Sequence, residues 1–271
     1  MHYGTAYKNR GAKKARLLTS ARVLTCALAL TCITLAPASA QSPLIDASVS
    51  HPSRPEADTL RDKGRKPGEV MRFFNVEEGA HVIEFGAGGG YYTELLSRAV
   101  GDEGSVYAYN PFIFLRFVHE EINDRYSETQ LPNVTLTFAS VANLNLPSEQ
   151  FDAAYFINTY HDIYYNESTG ENMSPQAVGT LKEVYKSLKP GGVVGIIDHR
   201  ADDGSSRSDA AGLHRMIEEL LRKDFESAGF EYVGSSDLLS HKSDPQEKAW
   251  FQDPDLKDVT ERMVVRFRKP M

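Results

Sequence analysis

Two residue pairs in this chain have the composition of a proton-transfer site, His161-Asp162 and Asp198-His199. Each pair stands at the end of a short apolar run, Phe151 to Asn158 and Val193 to Asp198, so the loops after two strands could bring two imidazoles and two carboxylates together. An imidazole titrates near neutrality and suits a general base, while a neighbouring carboxylate can orient it or hold the substrate. The same composition permits a divalent cation that polarises an oxygen acceptor. No close pair of ligands on one helix supports a metal, so the expectation is acid–base work by His161, Asp162 and His199 with no metal. Tyr160, Tyr164 and Tyr165 crowd the same region and could line an apolar or aromatic acceptor site, whereas Tyr155 reads as core and His214-Arg215 as a brace of the sheet end.

A second constellation is Glu84-Phe85-Gly86-Ala87-Gly88-Gly89-Gly90, between the strand-like His81-Val82-Ile83 and a helix-like run from Tyr92 to Val100. Glycines at alternate positions let the backbone turn tightly at a strand end and keep side chains away from a ligand. They also open a helix whose free amides face that ligand. In this strand-to-helix context the loop reads as a nucleotide-like cofactor site.

The elements that must position these residues follow a regular alternation. Gly68 to Phe74 is a short helix candidate, Ser105 to Tyr109 a second strand, Phe112 to Tyr126 a helix with an aromatic face and Val134 to Ala139 a third strand. Phe151 to Asn158 is apolar on both faces, as the interior of a parallel sheet requires. Ser174-Pro175 caps a helix on which Val178, Leu181, Tyr185 and Leu188 share one side. Lys189-Pro190-Gly191-Gly192 ends it before a fifth strand, and Leu213, Met216, Ile217, Leu220, Leu221 and Phe225 recur with the period of one amphipathic helix. Phe230 to Val233 and Met263 to Phe267 close the series. Strands and helices at this spacing predict an open, mostly parallel sheet covered on both faces, with ligands bound at the carboxyl ends of its strands.

Composition narrows the partners. Residues 1–40 carry six basic and no acidic residues, an apolar run from Val23 to Leu35 and the small-residue pattern Ala38-Ser39-Ala40, which together read as a signal peptide of an exported, periplasmic protein. The run is too short and wrongly flanked for a bilayer span, so no stable membrane insertion is expected after its removal. Residues 41–271 then hold 24 basic against 37 acidic residues, a formal charge of −13, which repels phosphate backbones and argues against nucleic acid. Cys26 and Cys32 both lie in the leader, so the remainder has no disulfide, thiolate metal site or cysteine nucleophile. Residues 41–61, rich in proline, serine and charge, read as a linker or flexible N-terminal arm.

Taken together, residues 67–269 resemble a class I methyltransferase that uses S-adenosylmethionine. The residues that carry the likeness are the glycine loop Glu84 to Gly90, Leu144-Asn145-Leu146-Pro147 before Phe151-Asp152, and Leu188-Lys189-Pro190-Gly191-Gly192 before strand five. More narrowly, Asn158-Thr159-Tyr160-His161-Asp162, Asp198-His199-Arg200-Ala201 and Leu213-His214-Arg215 are similar to a group of exported bacterial methyltransferases. The resemblance implies an α/β, Rossmann-like doubly wound sheet of seven strands, order 3-2-1-4-5-7-6 with strand seven antiparallel, in a domain covering 62–271. It implies that Gly86, Ala87, Gly88 and Gly90 admit the methionine and ribose portions of the cofactor and that Glu84 holds the loop or the amino group. Asn110 stands where the family has an acid for the ribose hydroxyls, Ser140 where it has an aspartate for the adenine, with Val141, Phe112 and Asn158 beside them. His161 would lie where acceptor and cofactor meet. The implied function is methyl transfer to a small-molecule or exported protein acceptor; the alternative is a noncatalytic nucleoside- or small-ligand-binding protein on the same fold.

Overall fold

The computed structural model describes residues 43–116, 118, 125, 126 and 130–271. The signal peptide expected at 1–40 lies outside the described residues, as do seven of the fifteen residues of the helix expected from Phe112 to Tyr126, whose start, Phe112–Arg116, is a 3-10 helix. Among the described residues no helix is long and apolar enough to cross a membrane.

Among the described residues four helices precede the first strand: α1 (Pro43–Val49), α2 (Glu56–Thr59), α3 (Asp62–Arg65) and α4 (Pro67–Phe73). Then come β1 (His81–Phe85), α5 (Tyr91–Val100), β2 (Ser105–Pro111), β3 (Val134–Ala139), β4 (Phe151–Ile157), α6 (Pro175–Ser187), β5 (Leu188–His199), α7 (Arg207–Gly212), α8 (Glu218–Ser227), β6 (Glu231–Ser236) and β7 (Arg262–Arg268). The seven strands form one sheet in the order β3-β2-β1-β4-β5-β7-β6, with β7 antiparallel to both neighbours, as the resemblance implied. β1 lies in parallel between β2 and β4, so the glycine loop at its end has strand ends on either side of it.

Alternate residues of each strand feed two cores. Ile83, Phe85, Ala154 and Phe156 face α6 and α8 through Leu181, Val184, Leu221 and Phe225. Val82, Ala153, Tyr155 and Ile157 face α1, α4 and α5 through Ile45, Met71, Phe74, Leu95 and Leu96. Removing so many aliphatic and aromatic side chains from water, at roughly 1.5–3 kcal/mol each, is what makes a chain without disulfides fold. Local signals set the helix ends. Ser174 caps α6 by accepting a hydrogen bond from the Ala177 amide at 3.0 Å, with Pro175 in the first turn.

Two expectations are corrected. Within the stretch expected to be a linker or flexible arm, residues 43–61 are packed: they form α1 and α2, and Ile45, Ser48, Arg54 and Asp58 are buried. Ion pairs hold this segment more than apolar periodicity does. The Arg54 guanidinium donates to both oxygens of Asp62, at 2.7 and 2.8 Å, and the Tyr91 hydroxyl donates to Asp62 at 2.5 Å. The second correction concerns the single amphipathic helix expected from Leu213 to Phe225, which is broken. His214 adopts a left-handed φ of 51°, Met216 makes a parallel bridge with Arg200, and helix resumes only at Glu218. The break follows from Arg215, whose buried guanidinium donates to both Asp244 oxygens and to the carbonyls of Arg200 and Lys248. Several charge-assisted bonds outweigh the one turn of helix they displace.

Candidate active site

A cavity of about 930 Å³ opens at the carboxyl ends of β1, β2, β4 and β5. Its volume lies in the range of sites that enclose small molecules. One end is the glycine loop with Glu84, Tyr91 and Tyr92; the other is His161, Asp162, His199 and His214 beside Trp250 and Phe251. Asp58, Arg61, Arg65, Lys257 and Asp258 complete the wall near the loop.

All three alternating glycines have positive φ, but they face different surroundings. A Cβ at Gly88 would meet nothing within 4 Å, so this residue leaves bare backbone against the cavity. At Gly86 it would lie 2.6 Å from the Thr159 methyl, and at Gly90 it would strike Tyr126 and Arg125. Gly86 therefore serves the close approach of β1 and β4, and Gly90 the packing over α5, while Gly88 opens the wall to a ligand. Gly86, Ala87 and Gly88 line the cavity, as do Val141 and Asn158; Gly90 does not.

Asn110 and Ser140 depart from the roles implied for them. The Asn110 side chain is fully buried and turned inward: its Oδ1 accepts from the Gly88 amide at 2.8 Å and its Nδ2 donates to the Gly88 carbonyl at 3.2 Å. It clamps the loop from behind and is not among the cavity-lining residues. Ser140 is exposed and also off the wall. Phe112 points to solvent, and the apolar wall there comes from Ile113, Phe114 and Val118. Asn158 stands out, because its Oδ1 is buried without a hydrogen-bond partner while the residue lines the cavity in a left-handed conformation. An acceptor left so in a polar wall calls for a donor from a ligand or water.

Burial pushes the Glu84 carboxyl up to about 7, against the Thr93 hydroxyl that donates to it at 2.6 Å and the positive charges of Arg125 and Arg65. A carboxyl raised this far is re-ionised readily by a cation placed next to it. A cationic amino group and a ribose fit the loop end, where bare backbone at Gly88, an adjustable carboxyl at Glu84 and the orphan oxygen of Asn158 meet. The residues present thus suit a nucleoside carrying an amino-acid tail.

At the other end, His161 is buried and fixed from behind by Asp198. Asp198 accepts from the His161 backbone amide at 3.0 Å and pairs with the ring Nδ1 at 2.6 Å. This leaves Nε2 toward the cavity, 3.4 Å from Asp162 Oδ1. Burial lowers the His161 pKa, but the charge and hydrogen bond of Asp198 and the charge of Asp162 outweigh it and leave the value raised. The partner that orients His161 is thus Asp198, where the sequence pointed to Asp162.

Asp162 instead pairs with His214 Nδ1 at 3.0 Å, and burial, which alone would raise its pKa, yields to the two imidazoles, which lower it. His199 is held by Thr260 at 2.7 Å, and burial together with the charges of His161 and Arg262 drives its pKa well below the ordinary value. It lines the cavity and stacks on Trp250 at 6.4 Å between centroids. His214, read from the sequence as a brace, lines the cavity and packs edge-on against His161 and Phe251. The bracing belongs to Arg215 alone. No sequence signal separated these two adjacent residues, since the broken helix that parts them depends on Asp244.

A family model described as a methyltransferase domain matches residues 61–236. A demethylmenaquinone methyltransferase of Geobacillus sp. (strain WCH70) is 29% identical over 126 residues, 46% of this chain and 48% of that protein. The chain spans about half the length of the curated relatives it matches. Among solved structures, a SAM-dependent methyltransferase from Aquifex aeolicus aligns with a TM-score of 0.51 at 20% identity, over 77% of this chain and 97% of its own. An arsenic(III) S-adenosylmethionine methyltransferase from Chlamydomonas reinhardtii aligns with a TM-score of 0.51 at 18% identity, over 86% and 75%. At such identities these two likenesses establish the fold and nothing finer.

Proposed function

The chain belongs to the methyltransferase-domain family and has the class I fold, and from that premise we propose that it transfers a methyl group from S-adenosylmethionine to a small-molecule or protein acceptor. The observation that carries this reading is the continuity of one cavity from Gly88 to His161. S-adenosylmethionine supplies an activated methyl on a sulfonium, so the protein's task is alignment and handling of the acceptor's proton.

In this reading Gly88 and Asn158 would receive the ribose side of the cofactor and Glu84 its amino group, which the open space at Gly88, the unpartnered Asn158 Oδ1 and the raised Glu84 carboxyl support. Tyr92, whose ring is packed edge-on against Tyr91, closes the wall next to Glu84. His161 Nε2 is the atom placed to take a proton from the acceptor, since Asp198 holds Nδ1 and stabilises the imidazolium that forms. Trp250, Phe251 and Phe156 give the acceptor end an aromatic wall. Demethylmenaquinone, the substrate named for the relatives, is one aromatic acceptor to test against that wall. Export to the periplasm belongs to the same proposal and rests on the basic, apolar and small-residue pattern of residues 1–40.

One observation favours a second reading, a noncatalytic ligand-binding protein. The two positions where the family anchors ribose and adenine, Asn110 and Ser140, do not reach the cavity. Calorimetry separates the readings. Saturable binding of S-adenosylmethionine and of S-adenosylhomocysteine is expected; absence of heat with either at millimolar concentration would overturn the methyltransferase reading. With binding in hand, incubation with isotopically labelled methyl donor and candidate acceptors identifies the product.

A further inference from the structure

We propose that His161, Asp162 and His214 form a binding site for a divalent transition-metal ion, of which Zn(II) is the fitting example, at the acceptor end of the cavity. The proposal rests on the reading of this cavity as a methyl-transfer site and deepens it by naming what else the acceptor meets. One ligand atom from each of the three residues lies within 4.8 Å of the others, and all three residues line the cavity.

The separations are those of a coordination polyhedron. Ligands about 2.0–2.1 Å from a tetrahedral zinc stand roughly 3.4 Å apart, and an octahedral ion brings them to about 3.0 Å. Asp162 Oδ1 is 3.4 Å from His161 Nε2 and 3.0 Å from His214 Nδ1. The first distance is too long for a normal imidazole–carboxylate hydrogen bond, although the buried His161 and the partly exposed Asp162 face each other. The third edge, between the two imidazoles, is the one that must adjust. His214 is partly exposed on the irregular turn before α8, so it is free to do so.

The surroundings supply what a metal-ligating histidine requires. Asp198 pairs with the far nitrogen of His161 at 2.6 Å, which fixes the ring and leaves the Nε2 lone pair for an ion, the carboxylate–histidine–metal arrangement. Two imidazoles and one carboxylate are a borderline donor set that suits zinc, cobalt, nickel or iron(II) over magnesium or calcium. Three protein ligands leave the remaining positions toward the cavity, as a catalytic site does and a structural site does not. With an ion bound, His161 Nε2 would serve as a ligand and not as the base, and a hydroxyl acceptor whose pKa the cation lowers would release its proton to solvent; the base role belongs to the metal-free site.

The experiment uses the full chain without an affinity tag, stripped with EDTA and titrated with Co(II), whose visible absorption reports coordination by nitrogen and oxygen. The expected result is saturation at one Co(II) per chain and displacement by Zn(II). His214→Ala and Asp162→Asn are each expected to weaken Co(II) binding at least tenfold. His241→Ala, a histidine off the cavity wall, is expected to leave it unchanged. Far-UV circular dichroism confirms that each variant is folded; His214 and Asp162 are both partly exposed, which makes their replacement tolerable. No saturable binding up to 1 mM, or binding that persists equally in His214→Ala and Asp162→Asn, overturns the site. S-adenosylmethionine affinity measured on the stripped chain reports separately on methyl transfer, so loss of one reading is distinguishable from loss of the other.

Discussion

Replacing Glu84 by glutamine isolates a single buried ionisation. The carboxyl is inaccessible to solvent, accepts from Thr93 at 2.6 Å, and is pushed up to about 7 from an ordinary value of 4.5. In that window the folded chain keeps a proton that the unfolded chain has released. Stability is therefore highest below pH 4.5 with respect to this group and declines as pH rises toward 7 and beyond. The interval of about 2.5 pKa units at 1.36 kcal/mol each amounts to about 3 kcal/mol. Glutamine has the same shape and no proton to lose, so Glu84→Gln should match the parent near pH 4.5 and exceed it by about 3 kcal/mol at pH 8. For a domain of this size that corresponds to roughly 6–12 °C in Tm. Urea denaturation followed by circular dichroism from pH 4.5 to 8 measures the difference directly. A gap between the two proteins that stays constant across this range refutes the assignment of a raised pKa to Glu84, and with it the idea of a carboxyl tuned to meet a cationic ligand.

Three further substitutions test other parts of the account. Gly88→Ala should cost only about 1–2 kcal/mol of stability, the penalty of a left-handed alanine, yet weaken S-adenosylmethionine binding at least tenfold, whereas Gly86→Ala should lose more stability because its Cβ strikes Thr159 at 2.6 Å; calorimetry and urea melts on both variants check the contrast. Arg207→Met should destabilise the chain by about 3–5 kcal/mol, because Asp224, bonded to this guanidinium at 2.9 and 3.0 Å, is left charged and buried, and a urea midpoint unchanged from the parent would contradict it.

The central strands were legible because burial on both faces makes them continuous apolar runs, as in Phe151 to Ile157, and α6 because Ser174-Pro175 announces its start. The order of the sheet came only through resemblance. What escaped the sequence depends on pairings between distant residues. Arg54 with Asp62 and Tyr91 turns a polar stretch into packed helices, and Arg215 with Asp244 breaks a periodicity that fits one helix from Leu213 to Phe225. The site shows the same division. His161 and His199 were recognisable from their place after β4 and β5, but their different states were not, since Asp198 raises one while burial and the first depress the other. Asn110 was placed correctly at the end of β2, yet a strand end does not reveal that both amide atoms are spent on Gly88.

Arg61 and Arg65 close the wall near the glycine loop by gripping Asp258, at 2.7 and 2.6 Å, from positions 197 and 193 residues earlier in the chain. Joining ends so remote has a large entropic cost, which only near-native neighbours can offset. The acidic half of this latch is among the last residues of the chain to be made, and the basic half among the first of the described domain. A product that stops short of Asp258 would lack the counter-ion of both guanidiniums and the whole of β7, which begins at Arg262.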